Sequence, residues 1–368
     1  MGFKDLGLSQ QIIKSIAELG IEKPTEVQQK VIPLLLEKKT DLFAVAQTGS
    51  GKTLAFAAPI LEQIQSKKDT QALVLVPTRE LAQQVKKVFF KASKYLDKKI
   101  FVDAVYGGEK IHIQEERLER PTQILVATPG RLLELLERNA LNLINLKYLV
   151  LDEADEMINM GFRPDLDRLL KYIPQEKQVW MYSATLPDEL RGMVKNYLKR
   201  DYEKIELAKQ IKINPNINHR YKMVEPSDKF DYILDFIDSQ EGNQGIIFVR
   251  TRANAQQLAE ALQNEDVSAK AIEGDMGQRD RDKVMRSFKN GATQILVATD
   301  VAARGIDVDD LAFVLHHQLP EQYVFYPHRS GRTARAGKKG VSLALVSNRE
   351  KVQLNDISKK YKIEFREQ

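Results

Sequence analysis

Short apolar runs rich in β-branched residues alternate with longer stretches of helical periodicity along the whole chain. The runs of the first half are Leu42–Ala46, Ala72–Val76, Ile124–Ala127, Tyr148–Leu151 and Val179–Tyr182. Those of the second half are Gly245–Val249, Ile295–Ala298, Phe313–His316 and Val341–Val346. A strand that is apolar at consecutive positions is covered on both faces, and such strands separated by helices build a parallel sheet. The pattern predicts an α/β fold with mostly parallel sheets covered by helices. Ligands of such sheets bind beyond the C-terminal ends of the strands. The residues that follow each run are therefore the ones expected to carry chemistry.

One segment occurs twice: Gln123–Thr128 and Gln294–Thr299 both read Gln-Ile-Leu-Val-Ala-Thr. Each copy is a strand plus the first polar loop residue, and the identity predicts two copies of one architecture. A length of 368 residues suits two domains at roughly 100–200 residues each. The periodicity breaks at Leu207–Asn216, where Asn214-Pro215-Asn216 offers turn residues. The expected domains are 1–207 and 217–368, joined by a linker at 208–216.

Composition narrows the chemistry. The chain has no cysteine, which excludes disulfides, thiolate metal sites and thiol catalysis and fits a cytoplasmic location. No apolar run approaches the roughly 20 residues that span a bilayer, and Met1–Leu6 lacks the apolar core of a signal peptide. The net charge of +5 permits a nucleic-acid partner without requiring one. Lys86, Lys87, Lys91, Lys94, Lys98 and Lys99 crowd one stretch. It is expected to be a solvated helix face and the loop after it, rather than a nucleic-acid contact.

The run Leu42–Ala46 leads into Ala46-Gln47-Thr48-Gly49-Ser50-Gly51-Lys52-Thr53 and then the helix-like Leu54–Ile64. Strand, glycine-containing loop and helix in that order make a phosphate-binding loop. Gly49 and Gly51 let backbone N–H groups close around phosphates, and the helix N-terminus adds positive potential. Lys52 reaches the β- and γ-phosphates, and the Thr53 hydroxyl ligates magnesium. The loop begins with Ala46 where the strict pattern has glycine. The run Tyr148–Leu151 delivers a second element, Asp152-Glu153-Ala154-Asp155. Asp152 is placed to hold magnesium, and Glu153 to orient and deprotonate the attacking water. Alone, the first element reads as a tight turn and the second as a salt-bridged acidic cluster. Together they point to nucleoside triphosphate hydrolysis with magnesium.

Phosphoryl transfer also needs positive charge where negative charge accumulates. His328-Arg329-Ser330-Gly331-Arg332-Thr333-Ala334-Arg335 supplies it from the second half. Arg332 and Arg335 are three apart, so a helical turn would place both on one face. Together with His328 they complete the expected catalytic set.

The tetrad Asp152-Glu-Ala-Asp155 resembles the signature that names the DEAD-box RNA helicases, and further motifs of that family follow in order across nearly the whole chain. The resemblance implies two RecA-like domains, ATP as the nucleotide and RNA as the partner. Gly20-Ile-Glu-Lys-Pro-Thr-Glu-Val-Gln28 looks like the family's adenine-reading motif. Phe3 is its upstream aromatic, and Ile21 stands where the family often has an aromatic residue. By resemblance Gln28 hydrogen-bonds adenine, a task its amide suits. Pro77-Thr78-Arg79-Glu80-Leu81-Ala82, Gly107-Gly108 and Thr128-Pro129-Gly130-Arg131 look like the RNA-binding elements of the first domain. Gln278–Arg281 and Thr299 look like their counterparts in the second. Polar side chains and backbone N–H groups suit phosphate and 2′-OH contacts, which position a strand without reading its sequence. Thr128 and Thr299 are also suited to cap helices. Ser183-Ala184-Thr185 resembles the motif that couples hydrolysis to RNA binding, with its hydroxyls bridging the carboxylate cluster and His328. Thr299–Asp307 resembles the fifth motif, with Asp307 on the ribose. Ser330 and Ala334 replace an aliphatic residue and a glycine of the commonest family form, and neither change removes a charge.

His316 and His317 adjoin on a strand, point to opposite faces and are read as structural. Trp180 is read as core, and Met157 and Met160 as packing beneath the acidic motif. The expected function is an ATP-dependent RNA helicase that separates short duplexes locally and remodels RNA–protein assemblies. An ATP-gated RNA clamp on which an assembly forms is the alternative. A DNA translocase is disfavoured by the Gln28 motif and the acidic tetrad.

Overall fold

The computed structural model describes residues 2–47, 49–207, 214–273, 276–303, 308, 310–323, 325–334 and 338–368, with the backbone alone at Gln278 and Val301. The chain divides into two compact units, Met1–Lys209 and Gln210–Gln368. The first unit has strands β1 (Leu42–Val45), β2 (Ala72–Leu75), β3 (Val102–Val105), β4 (Ile124–Ala127), β5 (Tyr148–Leu151), β6 (Gln178–Ser183) and β7 (Glu203–Glu206). Its helices are α1 (Gln10–Glu18), α2 (Glu26–Glu37), α3 (Lys52–Gln63), α4 (Arg79–Ala92), α5 (Ile111–Leu118), α6 (Pro129–Glu137), α7 (Ala154–Asn159), α8 (Arg163–Leu169) and α9 (Asp188–Tyr197). The second unit has β8 (Ile217–Met223), β9 (Gly245–Phe248), β10 (Ala269–Ile272), β11 (Ile295–Ala298), β12 (Phe313–His316), β13 (Gly340–Val346) and β14 (Arg366–Glu367). Around them run α10 (Lys229–Asp238), α11 (Arg252–Asn264), α12 (Gln278–Lys289), α13 (Asp300–Ala303), α14 (Phe325–Ser330) and α15 (Lys351–Tyr361).

The first sheet runs β3-β4-β2-β5-β6-β1-β7 and the second β10-β11-β9-β12-β13-β8-β14. All described pairings within them are parallel. Each strand of the second sheet takes the place of the strand seven before it in the first. The repeated Ile-Leu-Val-Ala segments are β4 and β11, both second from an edge, so the sequence echo reflects a duplicated architecture.

All nine apolar runs are strands, as expected. The strands without such a run are β3, β7, β8, β10 and β14. Four of these are sheet edges and β8 lies beside one. An edge strand meets solvent on its open side, so its sequence mixes polar with apolar residues: β7 reads Glu-Lys-Ile-Glu and β10 Ala-Lys-Ala-Ile. The central strands carry a core on each face. β1 sends Leu42 and Ala44 to one cluster and Phe43 and Val45 to the other. Trp180 is fully buried, and its indole N–H donates to the Thr40 carbonyl at 3.2 Å. Met157 lies in the core below the acidic motif, whereas Met160 is only half-buried.

Strand order decides which loops meet. β5, β6 and β1 are neighbours, and so are β3, β4 and β2. The loops at the C-terminal edge of the first sheet therefore fall into two sets before any side chain is considered. Among the described residues, no helix is long and apolar enough to cross a membrane.

Candidate nucleotide site and nucleic-acid interface

The loops after β1, β5 and β6 form the first set. After β1, the Ala46 N–H donates to the Ser183 carbonyl at 2.9 Å, which ties the start of the loop to β6. Gly49 and Gly51 have φ of 79° and 90°, backbone that residues with a Cβ adopt rarely. Gly51 caps α3. Gln28, on α2, is 2% exposed. Its amide nitrogen donates to the Gly51 carbonyl at 3.0 Å, and its amide oxygen accepts from the Thr25 N–H at 2.9 Å. A Cβ on Gly51 would overlap that amide. Gln28 therefore reports directly on the phosphate-binding loop, a link of 23 residues that its position in the sequence does not reveal. Phe3 is buried in the core cluster shared with α1 and α2, and Ile21 packs half-buried against the same cluster. Gln47 and Ser50 stand in the loop, and Thr53 occupies the first turn of α3. Thr48 lies outside the described residues.

Lys52 is 6% exposed, and its ammonium donates to the Ala46 carbonyl at 3.0 Å, across the mouth of the loop. Next to it stand the carboxylates of the β5 loop. Asp152 is 2% exposed. Burial raises its pKa, while the Lys52 charge and the Glu153 N–H, which donates to Asp152 Oδ1 at 3.0 Å, oppose the shift. Glu153 adopts a left-handed backbone, φ 52° and ψ 49°, where the strand turns into α7. Its carboxyl, partly desolvated and beside the Asp152 carboxylate, is pushed up to about 7. Asp155 Oδ2 accepts from both the Thr185 N–H (2.9 Å) and the Thr185 hydroxyl (2.7 Å). The Ser183 hydroxyl donates to the Thr185 carbonyl at 2.6 Å. The acidic motif and the Ser183–Thr185 motif are thus one hydrogen-bonded unit. Asp155 was part of the motif in the sequence but had no assigned role; only the adjacency of β5 and β6 reveals one.

The loops after β2, β3 and β4 form the second set. The Thr78 hydroxyl, just after Pro77, accepts from the Leu81 N–H at 3.3 Å and caps α4. Arg79 donates to the Gly107 carbonyl at 3.1 Å. Gly108, at φ 88°, leaves room for that guanidinium, which a Cβ would overlap. Arg131 donates to the Glu109 carbonyl at 2.9 Å and pairs with Glu134 at 3.0 Å. Thr128 precedes α6 without making a side-chain cap. The elements named for RNA contact in the first half are thereby brought together on one edge.

In the second unit, Thr299 caps α13 through the Ala302 N–H at 3.4 Å. Arg281 is 5% exposed and donates to the Ala302 carbonyl at 2.7 Å. The side chain of Gln278, together with Asp307 and Arg335, lies outside the described residues, as do 208–213 of the expected linker. Arg332 follows α14 directly, its N–H donating to the Arg329 carbonyl at 3.1 Å, and Arg335, which would share its face, lies outside the described residues. α14 ends at Ser330, and Gly331 and Arg332 form a turn whose Arg332 carbonyl accepts from the Leu311 N–H at 3.1 Å. His328 is half-buried on α14. Arg329 is 3% exposed and grips Asp300 through two bonds of 2.5 and 2.7 Å.

The two departures in this motif differ in their structural setting. Ser330 is fully buried, and its hydroxyl meets Ser342 at 2.9 Å and His316 at 3.4 Å. A buried polar network, extended by Tyr326 and His219, replaces an apolar contact there. Ala334 adopts φ 61°, which suits the glycine it replaces. Ala334→Gly is therefore expected to stabilise the fold by up to about 1 kcal/mol, read as a higher urea midpoint at unchanged slope.

His219 has Nδ1 2.8 Å from the Tyr326 hydroxyl, and burial lowers its pKa to about 4. The unfolded chain binds the proton near pH 6.5, so stability held above that pH is lost as pH falls toward 4. At pH 5 the loss from this group is about 2 kcal/mol. The stability difference between wild type and His219→Asn should shrink by about that amount between pH 7.5 and pH 5 in urea titrations.

The chain matches the family model for DEAD/DEAH box helicases over residues 25–193 and the model for the helicase conserved C-terminal domain over residues 228–337. It is 42% identical over 358 residues to the DEAD-box ATP-dependent RNA helicase CshA of Geobacillus kaustophilus, covering 97% of this chain and 76% of that protein. It is 38% identical over 352 residues to the DEAD-box ATP-dependent RNA helicase RhpA of Helicobacter pylori, covering 96% and 71%. A solved structure of Dbp5 from S. cerevisiae bound to RNA and ADP BeF3 superposes with a TM-score of 0.90 at 29% identity, covering 100% of this chain and 95% of that one.

Proposed function

The chain belongs to the DEAD-box helicase family, and from that premise we propose that it is an ATP-dependent RNA helicase that couples hydrolysis to RNA binding, local strand separation and remodelling of RNA–protein assemblies. The observation that carries the coupling is the joined motif at the β5–β6 edge. Thr185 is bound twice to Asp155, two residues from Glu153, so a shift of the Ser183–Thr185 loop reaches the carboxylates directly. Residues 1–207 act as the ATP-binding domain, 208–216 as the linker and 217–368 as the second RecA-like domain.

In this reading Gln28 holds the loop and reads adenine. Gly49, Gly51 and Lys52 receive the phosphates, and Glu153 takes the proton of the attacking water. Arg332 and Arg335 supply positive charge to the transferring phosphoryl group. Thr53 and Asp152 fit magnesium: a hydroxyl and a buried carboxylate whose ionisation burial disfavours are the hard oxygen donors that this ion takes. Bound there, magnesium would offset the charge of the phosphates. Pro77–Arg79, Gly108, Thr128 and Arg131, with Gln278, Arg281 and Thr299, hold the RNA backbone. Contacts of this kind imply little sequence preference. Cytoplasmic work, in a chain without cysteine, belongs to the same proposal.

The test is ATPase activity with and without single-stranded RNA, paired with release of a labelled strand from a short duplex. RNA should raise the ATPase rate, and ATP should drive release. An ATPase indifferent to RNA would overturn the proposal.

A further inference from the structure

Outside the loops described above, one groove of the first unit combines an exposed ring with clustered positive charge. Gln83, Lys86, Lys87 and Phe90 of α4 form one wall, Tyr106 at the end of β3 the floor, and Arg117 of α5 the far side of a cavity of about 300 Å³. Phe90 is 70% exposed. On the helix surface Lys86 and Lys87 lie four and three residues before it, so cations flank the ring on its N-terminal side. Lys86 pairs with Asp103 at 2.7 Å, and Arg117 pairs with Asp103 at 3.2 Å and Glu109 at 3.0 Å. Lys87 and Lys91 make no ion pair among the described residues. Three cations and no carboxylate line the groove.

The groove also has a direction. Gln83 lies one turn beyond Arg79, Tyr106 directly precedes Gly107-Gly108, and the Gln83 amide donates to the Tyr106 hydroxyl at 2.9 Å. The cavity therefore opens from the loops assigned to the RNA backbone. At a rise of 1.5 Å per residue, Phe90 lies about 16 Å along α4 from Arg79. A solvent-exposed aromatic ring beside cations is the arrangement on which single strands stack their bases while their phosphates meet the charges. A helix face with charge alone would be solvated, as the sequence suggests. The ring and the groove at its foot separate this face from that case.

We propose that this groove holds a second stretch of the same single strand, with a base stacked on Phe90 and phosphates on Lys86 and Lys87. The proposal rests on the reading of the Arg79 and Gly107-Gly108 loops as RNA contacts. Charge favours a polyanion over a protein, and a protein docking on Phe90 is the competing result.

The experiment titrates the full chain, with a non-hydrolysable ATP analogue, against labelled single strands of about six and about twelve nucleotides. Phe90→Ala should weaken the longer strand about tenfold and leave the shorter one unchanged. Lys87→Ala should lower the salt slope for the longer strand by about 0.7. A 4-thiouridine placed in the added nucleotides should crosslink to the peptide that contains Phe90. Both side chains are exposed, so melting temperature and basal ATPase should match wild type. Variants that bind both lengths like wild type overturn the proposal and assign Phe90 to a protein contact. Equal weakening of both lengths overturns it as well, because the groove would then not be an extension. Wild type that binds neither strand overturns the RNA reading itself, and the groove with it.

Discussion

Glu153→Gln should lower the rate of ATP hydrolysis by about 10²–10⁴-fold while ATP and RNA still bind. The two side chains have the same shape, and an amide oxygen accepts a hydrogen bond from water but takes no proton. The backbone that aims the side chain is held independently of it. The Glu153 N–H donates to Asp152, and the left-handed turn into α7 is set by the end of β5. A carboxyl near pH 7 is also matched to proton transfer at neutral pH. Single-turnover phosphate release, measured beside equilibrium binding of an ATP analogue, separates the step from the affinity. Turnover near the wild-type rate would mean that another group positions the water.

Arg332→Ala should cost about 10³-fold in turnover, again with nucleotide affinity kept, since the phosphate-binding loop belongs to the other unit. The backbone of the loop that bears Arg332 has anchors of its own. Its carbonyl is held by the Leu311 N–H, the Thr333 hydroxyl is anchored on the Leu311 carbonyl, and Arg329 is clamped to Asp300. The melting temperature, measured beside the rate, separates loss of the guanidinium's charge from loss of fold. Arg329→Ala gives the contrast. It leaves the half-buried Asp300 carboxylate and the Gln318 carbonyl without their donor and should destabilise the protein by about 2–3 kcal/mol. A wild-type rate in Arg332→Ala would show that the phosphate charge is met elsewhere.

Both results depend on features visible at different ranges along the chain. The phosphate-binding loop, the acidic tetrad and the central strands are written in neighbouring residues. A run such as Tyr-Leu-Val-Leu is buried on both faces wherever it lies, and glycines beside a lysine shape a loop locally. The repeated Gln-Ile-Leu-Val-Ala-Thr announced the duplication for the same reason: one local solution was used twice.

Other features are set by which distant segments become neighbours. Edge strands such as β7 escape the pattern because half of their surface faces water. The order β5-β6-β1 joins Asp155 to Thr185 across 30 residues, and α2 brings Gln28 onto Gly51. The left-handed backbone at Ala334 ends the helical path that begins in α14. Local pattern reports what each residue prefers as its surroundings, so the sequence alone determined the central strands and the twofold plan. Only the packed sheets decided which loops share an edge, because strand order follows from burying both faces of a whole sheet at once, a constraint that no short window of residues contains.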